Sequence, residues 1–302
     1  MSVQVVSWQF TDGKPGHENQ TRGLIHALAT RTSVDNYIIE LPSNILRLLY
    51  FLLIGRLYRK LARLPKPNYL IAAGRHTQLP MLLAHLWFGG KRIILMRPYW
   101  PIAWFDLMII PQHDSPPTSP KNLITQGVIN TVIPSNNHDK KKGMILIGGP
   151  SKHYVWDTAS IIHQITTLLN GMPDISWSIA NSRRTPEDFS AQINEIPSPF
   201  NFIDHRQTSN DWLSQQLVTA GQIWVSPDSV SMLYEAVTSG SAVGCLQLQA
   251  KKTNNRIVSG INELINQGMI TTFSQWQKTR HLSRPSQQLN EAQRAADWIL
   301  NQ

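Results

Sequence analysis

One pattern constrains this chain more than any other: short apolar runs alternate with longer helical stretches, and the alternation stops and then starts again. VQVVSWQF (residues 3–10), YIIEL (37–41), YLIAA (69–73), RIILM (92–96) and DLMII (106–110) read as strands. A glycine-rich turn leads from the first of them into a helix ending near Arg31, and another helix runs from the third to about Phe88. Strands this short and this apolar, separated by helices, belong to parallel sheets buried on both faces. Residues 133–143, IPSNNHDKKKG, carry turn formers and a charge run without apolar periodicity, which reads as a linker. The pattern then resumes with GMILIGG (143–149), a helix to about Asn170, ISWSIA (175–180), a helix from Pro186 to about Ile196 and NFID (201–204). A helix from Asn210, QIWVS (222–226), SAVGCLQL (241–248) and a final helix from near Ser286 complete it.

The expected fold is therefore α/β, two Rossmann-like domains facing across a cleft. The first spans residues 1–138, and the second spans 139–302 with its last helix packing back on the first. Ligands of open α/β sheets sit beyond the carboxyl ends of the strands. Those ends carry DGKPGHENQ, GRHTQ, RPYWP, PQHD, GGPSKHY, NSRRTP and SPDSVSM, which hold the chain's Gly-, His- and Arg-rich polar clusters.

Charge narrows the partners. The net charge is +9, yet residues 41–105 contain ten Lys and Arg and no Asp or Glu, so the rest of the chain is close to neutral. One lobe is thus built for an anionic partner. Residues 44–66, NILRLLYFLLIGRLYRKLARLPK, have an apolar core too short to span a bilayer, which needs about 20 apolar residues. Read as a helix, the segment has the composition of an interfacial membrane helix. A crossover helix whose arginines snorkel to water is the plain structural alternative. No nucleic-acid signature accompanies the basic residues, so an anionic membrane surface or lipid-linked acceptor ranks ahead of nucleic acid. The opening MSVQVVSWQF lacks a signal-peptide pattern, and Cys245 is the single cysteine. The expectation is a cytoplasmic protein, peripheral on the inner face of the membrane, with no disulfide framework.

Neither G-x-G-x-x-G after a strand nor G-x-x-x-x-G-K-[ST] occurs, which removes the best signals for dinucleotide redox and P-loop hydrolysis. The remaining loops fit a nucleotide diphosphate. Gly148 and Gly149 permit close backbone approach at a helix start, with Ser151 and Lys152 near the anion. Arg183 and Arg184 present forks for phosphate, or else pair with Glu187 and Asp188 on the surface. In SPDSVSMLYEA (226–236), Ser229 and Ser231 mark a second helix mouth and Glu235 is placed to accept ribose hydroxyls. The plain alternative makes Asp228 an N-cap and Glu235 a solvated side chain.

Five segments in order, DGKPGHENQ, GR at 74–75, PQHD at 111–114, SRRTP at 182–186 and DSVSMLYEA at 228–236, resemble the ELM family over nearly the whole chain. That family comprises plant "elongated mitochondria" fission proteins and their bacterial relatives, and its inferred activity is glycosyl transfer on a GT-B fold. The resemblance implies a donor site at Arg183, Arg184, Ser229, Ser231 and Glu235, and an acceptor-facing first loop of Asp12, Gly13, Lys14, Gly16, His17 and Glu18. Glu18 and His17 are the candidate bases, with Asp12 behind them. The expected reaction moves a sugar from a nucleotide diphosphate donor to a lipid-linked or cell-envelope acceptor, with the donor as substrate, no other cofactor and no metal. The alternative is a non-catalytic, membrane-associated adaptor that keeps the fold.

Overall fold

A computed structural model describes residues 4–209, 211–252, 255–285 and 287–302. It contains two six-stranded, all-parallel sheets, one in each of two compact units. The first unit is built from β1 (Val5–Thr11), α1 (Pro15–Ala29), β2 (Val34–Glu40), α2 (Ile45–Leu53), α3 (Arg56–Leu61), β3 (Tyr69–Ala73), α4 (Arg75–Phe88), β4 (Lys91–Leu95), β5 (Leu107–Pro111) and β6 (Asn122–Thr125). The second holds β7 (Asp139–Leu146), α5 (Thr158–Gly171), β8 (Ser176–Ala180), α6 (Glu187–Ile193), β9 (Asn201–Ile203), α7 (Trp212–Leu217), β10 (Ala220–Val225), α8 (Val230–Ser239), β11 (Ala242–Cys245), α9 (Arg256–Asn266), β12 (Thr271–Thr272) and α10 (Phe273–Thr279). The chain ends in α11 (Glu291–Leu300), which belongs to the first unit.

Alternation along the strands places one apolar layer on each face of each sheet. Leu70 and Ala72 of β3 join Trp8, Phe10 and Leu57 on one side, while Ile71 and Ala73 join Leu24, Leu28 and Ala295 on the other. In the second unit Met144 and Leu146 pack with Ile223 and Leu233, and Ile145 and Ile147 pack with Trp224 and Phe273. The second sheet has the order β9-β8-β7-β10-β11-β12, the 3-2-1-4-5-6 order of a dinucleotide-binding Rossmann sheet. The first sheet, β2-β1-β3-β4-β5-β6, reverses between β1 and β3 instead. Each unit therefore has one topological switch point, at β1/β3 and at β7/β10, where the strand ends diverge and leave a crevice.

The structure differs from the sequence reading at several places. The boundary between units falls at Thr131/Val132 rather than at 138/139, because Val132 already packs in the second unit's core while Ile129 packs in the first. The sequence reading packs the last helix back on the first domain, and residues 291–302 do go with the first unit, where Ala295, Ala296 and Ile299 of α11 complete the layer over α1 and Arg31 grips Asp297 at 2.7 and 3.1 Å. The proposed linker contains the start of β7: Lys140–Lys142 are exposed, but Asp139 pairs with β10 and Lys142 with β8, and the ladder decides the strand. The single helix read over 44–66 is two helices, broken at Gly55, whose φ of 66° only glycine adopts without steric cost. The short, polar-flanked β6 and all of α9 to α10 were not anticipated, although Val258, Ile261 and Leu264 of α9 carry a helical period. Asn210 and Ser286, read as helix starts, lie outside the described residues; the helices there span Trp212–Leu217 and Glu291–Leu300.

α2 buries only Leu48 and leaves Leu46 (72% exposed) and Leu53 (85%) with Ile45, Leu49 and Tyr50 in solvent. Most helices of globular domains hide such a stripe. Among the described residues no helix is long and apolar enough to cross a membrane.

Candidate functional site

At the β7/β10 switch point three adjacent strand ends are tied together. Gly148 N–H donates to Ser226 Oγ at 2.8 Å, and Gly149 N–H donates to Asp228 Oδ2 at 2.8 Å. From the β8 end, Thr185 Oγ1 donates to Gly148 O at 2.5 Å and Ser182 Oγ to the same oxygen at 2.9 Å. Arg184 closes the ring: its guanidinium lies 2.9 Å from Asp228 Oδ2 and donates to Gly149 O and Pro150 O at 3.3 Å. The two glycines are needed for this closeness. A Cβ on Gly148 would stand 2.0 Å from Asp228 Oδ2, and one on Gly149 would stand 2.0 Å from Arg184 O. Gly148 and Gly149 do not start a helix, as the sequence reading had it; they begin a loop that reaches α5 only at Thr158.

Asp228 is not the N-cap of α8. Its carboxylate turns inward, 1% exposed, and burial raises its pKa against the opposing hydrogen bonds from Gly149 and Ser226 and the charge of Arg184. The N-cap position falls to Ser229, whose side chain makes no capping hydrogen bond. The first turn of a ten-residue helix therefore opens at the strand ends without a side-chain acceptor, which is where an anion is stabilised. Ser231 on that turn is exposed, and Glu235, one turn and a half in, is half-buried.

The paired arginines are unequal. Arg184 is committed to Asp228, whereas Arg183 is exposed and forms no ion pair or side-chain hydrogen bond among the described residues. Neither pairs with Glu187 or Asp188. Ser151 Oγ accepts from the backbone N–H groups of His153 and Tyr154, shaping the loop, while Lys152 is exposed beside it. Ser182, Thr185 and Ser226 escaped the sequence reading because a hydroxyl that joins loops has no sequence signature apart from its place at a strand end.

At the β1/β3 switch point of the first unit, Asp12 and His17 form a second constellation. His17 Nδ1 is 3.0 and 3.2 Å from the two Asp12 oxygens, and Asp12 is 1% exposed in its side chain. Burial raises the Asp12 pKa, but the hydrogen bond and charge of His17, with the backbone N–H and ammonium of Lys14, outweigh it and leave the carboxyl below its ordinary range. The imidazole lies over Gly74 at the end of β3, where a Cβ would stand 2.2 Å from the ring. Glu18 faces elsewhere and accepts the Thr11 hydroxyl at 2.7 Å. Gly13 and Gly16 have open space around them. Among the described residues no three His, Cys, Asp or Glu side chains gather as a metal site.

Two parallel Rossmann-like α/β units, each with polar residues collected at its switch point, define a GT-B-like protein. Solved structures share this architecture over nearly the full chain. S. aureus MnaA, in a structure with UDP, is 13% identical, with a TM-score of 0.55 over 98% of this chain and 97% of that one. The spinosyn forosaminyltransferase SpnP is 11% identical, with a TM-score of 0.54 over 98% and 95%. An uncharacterized protein of Rickettsia prowazekii (strain Madrid E) is 22% identical over 285 residues, covering 77% of this chain and 80% of that protein. The chain belongs to the mitochondrial fission ELM1 family, whose sequence model matches residues 15–302.

Proposed function

We propose that this protein is a metal-independent glycosyltransferase that moves a sugar from a nucleotide diphosphate donor to a lipid-linked or cell-envelope acceptor. The observation that carries the reading is the uncapped start of α8 at the switch point of a Rossmann sheet, where Arg184 reaches Asp228 and its chain neighbour Arg183 is exposed without an ion pair among the described residues. The UDP of the MnaA structure and the transferase name of SpnP support a nucleotide sugar as the donor. The first N–H groups of α8 and the Arg183 fork take the diphosphate, and Glu235 accepts ribose hydroxyls. Arg184, with Asp228, Gly148 and Gly149, holds the loops in place; Ser151 and Lys152 flank them.

In the first unit, His17 is the base and Asp12 orients it. With Nδ1–H on the carboxylate, Nε2 keeps its lone pair and takes the acceptor hydroxyl's proton. The acceptor oxygen bonds to the anomeric carbon, the bond from that carbon to the diphosphate oxygen breaks, and the nucleoside diphosphate leaves with the electron pair. Glu18, tied to Thr11, ranks behind His17.

A thermal-shift screen against UDP-, GDP-, ADP- and CMP-sugars tests the donor site, since a ligand bound only to the folded state raises Tm by mass action. One of them is expected to stabilise the wild type. By calorimetric titration, Glu235→Gln should weaken that donor by about 1.5–3 kcal/mol, the range for a lost charged hydrogen bond. Arg183→Ala should weaken the nucleotide sugar far more than the free nucleoside. A screen in which no nucleotide sugar raises Tm would refute the proposal.

The second reading, a membrane-associated adaptor, is favoured by one observation, the solvent-facing apolar stripe of α2 followed by exposed Arg56, Arg59, Lys60 and Arg63. Both readings place this face on an anionic membrane surface. Flotation with phosphatidylserine vesicles should exceed flotation with phosphatidylcholine vesicles, fall with salt, and drop when those four cations are replaced by Gln. Equal binding to the two vesicle types would remove the membrane from the account.

A further inference from the structure

We propose that the second unit carries a separate binding site for a small organic phosphate, at the amino ends of its strands. There a cavity of about 360 Å³ is bounded by Lys140 of β7, Gly221 and Gln222 of β10, Ala242 of β11, and Trp276, Arg280 and Arg284 from α10 and the segment after it. That volume lies in the range of about 300–1,000 Å³ typical of small-molecule sites. β10 advances about 3.3 Å per residue, so Gln222 stands about 13 Å from Ser226 and the donor-site loops at the far end of the strand.

Three features give the cavity its chemistry. First, its cations lack acids. Lys140, Arg280 and Arg284 form no ion pair among the described residues, and the lining contains no Asp or Glu. Like charges gathered without a counter-charge repel one another, and a phosphate dianion relieves that repulsion. Second, the Arg280 guanidinium lies over the Trp276 ring at 4.7 Å. That stacking uses the face of the cation and leaves its N–H donors for phosphate oxygens, while Met172, Trp276 and Leu282 supply apolar wall. Third, Gln222 Oε1 is buried without a hydrogen-bond partner. A buried amide oxygen left unpaired is costly, and because Gln222 lines the cavity, a turn of its side chain toward a ligand that donates a hydrogen bond removes that cost.

The backbone supports the same assignment. The register between β7 and β10 shifts between Ala220 and Gln222, and such bulges re-aim side chains near binding sites. Gly221 sits where a Cβ would approach Asp139 O to 2.5 Å, so only glycine brings the Lys140 backbone this close to the bulge. The ligand class is a phosphate monoester with a compact apolar or aromatic body and a hydrogen-bond donor.

Calorimetric titration of the full chain with 4-hydroxyphenyl phosphate, phenyl phosphate and inorganic phosphate tests this. Both aryl esters should bind at least about tenfold tighter than inorganic phosphate, because only they use the indole wall as well as the cations. Arg280→Gln with Arg284→Gln, both at exposed positions, should weaken the esters about tenfold or more, and Lys140→Gln should do so independently. Gln222→Leu should erase the preference for the hydroxylated ester over the plain one. Arg183→Ala should change none of these, and the nucleotide-sugar shift should survive in the Lys140, Gln222 and Arg280/Arg284 variants. Esters that bind no better than inorganic phosphate, or binding lost in Arg183→Ala and kept in the Arg280/Arg284 variant, would overturn the proposal. Failure here leaves the donor-site result untouched, because that is read from a different ligand and a different variant.

Discussion

Asp12→Asn is expected to slow sugar transfer by about 10²–10⁴-fold while donor affinity stays within a factor of about two, the signature of a lost acid–base contribution. The carboxylate accepts from His17 Nδ1 at 3.0 Å and is almost fully buried, so it fixes both the ring and its tautomer. An asparagine amide can donate to Nδ1 instead, which moves the ring proton to Nε2 and removes the lone pair that takes the acceptor proton. His17→Gln should cost a similar factor, and the double variant little more, since the two side chains act as one unit. The measurement is release of nucleoside diphosphate under saturating donor, with the donor titrated separately. Near-wild-type turnover in Asp12→Asn would leave His17 as ordinary helix N-terminal polarity and return Glu18 to first place.

Gly149→Ala is expected to destabilise the second unit by about 3 kcal/mol or more and to abolish donor binding. The new methyl would stand 2.0 Å from Arg184 O and 2.3 Å from its carbonyl carbon. These are backbone atoms, so no rotamer change relieves the clash. The 182–185 loop would have to move, breaking the bonds that Thr185 and Arg184 make to the end of β7. Urea unfolding followed by fluorescence reads the loss as a lower midpoint. Gly16→Ala is the control: it lies in the first turn of α1 with nothing within 4 Å of its Cβ, and alanine there should be neutral or slightly stabilising. Equal midpoints for the two variants would mean that the strand-end loops are not locked together.

Most of the sheet framework was legible because it rests on neighbours in the chain. β3 is the apolar run YLIAA, β10 begins two residues before QIWVS, and the polar loops stand at the carboxyl ends, where parallel strands turn into helices. The candidate residues Asp12, His17, Gly148, Gly149, Arg183 and Ser229 were legible for the same reason. They are turn formers, or charges at strand ends, and backbone conformation there is a local property.

Tertiary structure alone decided what those residues do. Asp228 looks like an N-cap in sequence, but its carboxylate serves Gly149, 79 positions away, and Arg184. Arg183 and Arg184 are indistinguishable as neighbours until one guanidinium is spent on that buried carboxylate and the other is left to solvent. In each case the outcome turns on which polar group is buried and which partner satisfies it. Burial sums contacts from segments far apart in the chain, so no local window contains the answer; strand and helix patterns depend on spacing within a few residues, and the sequence shows those directly.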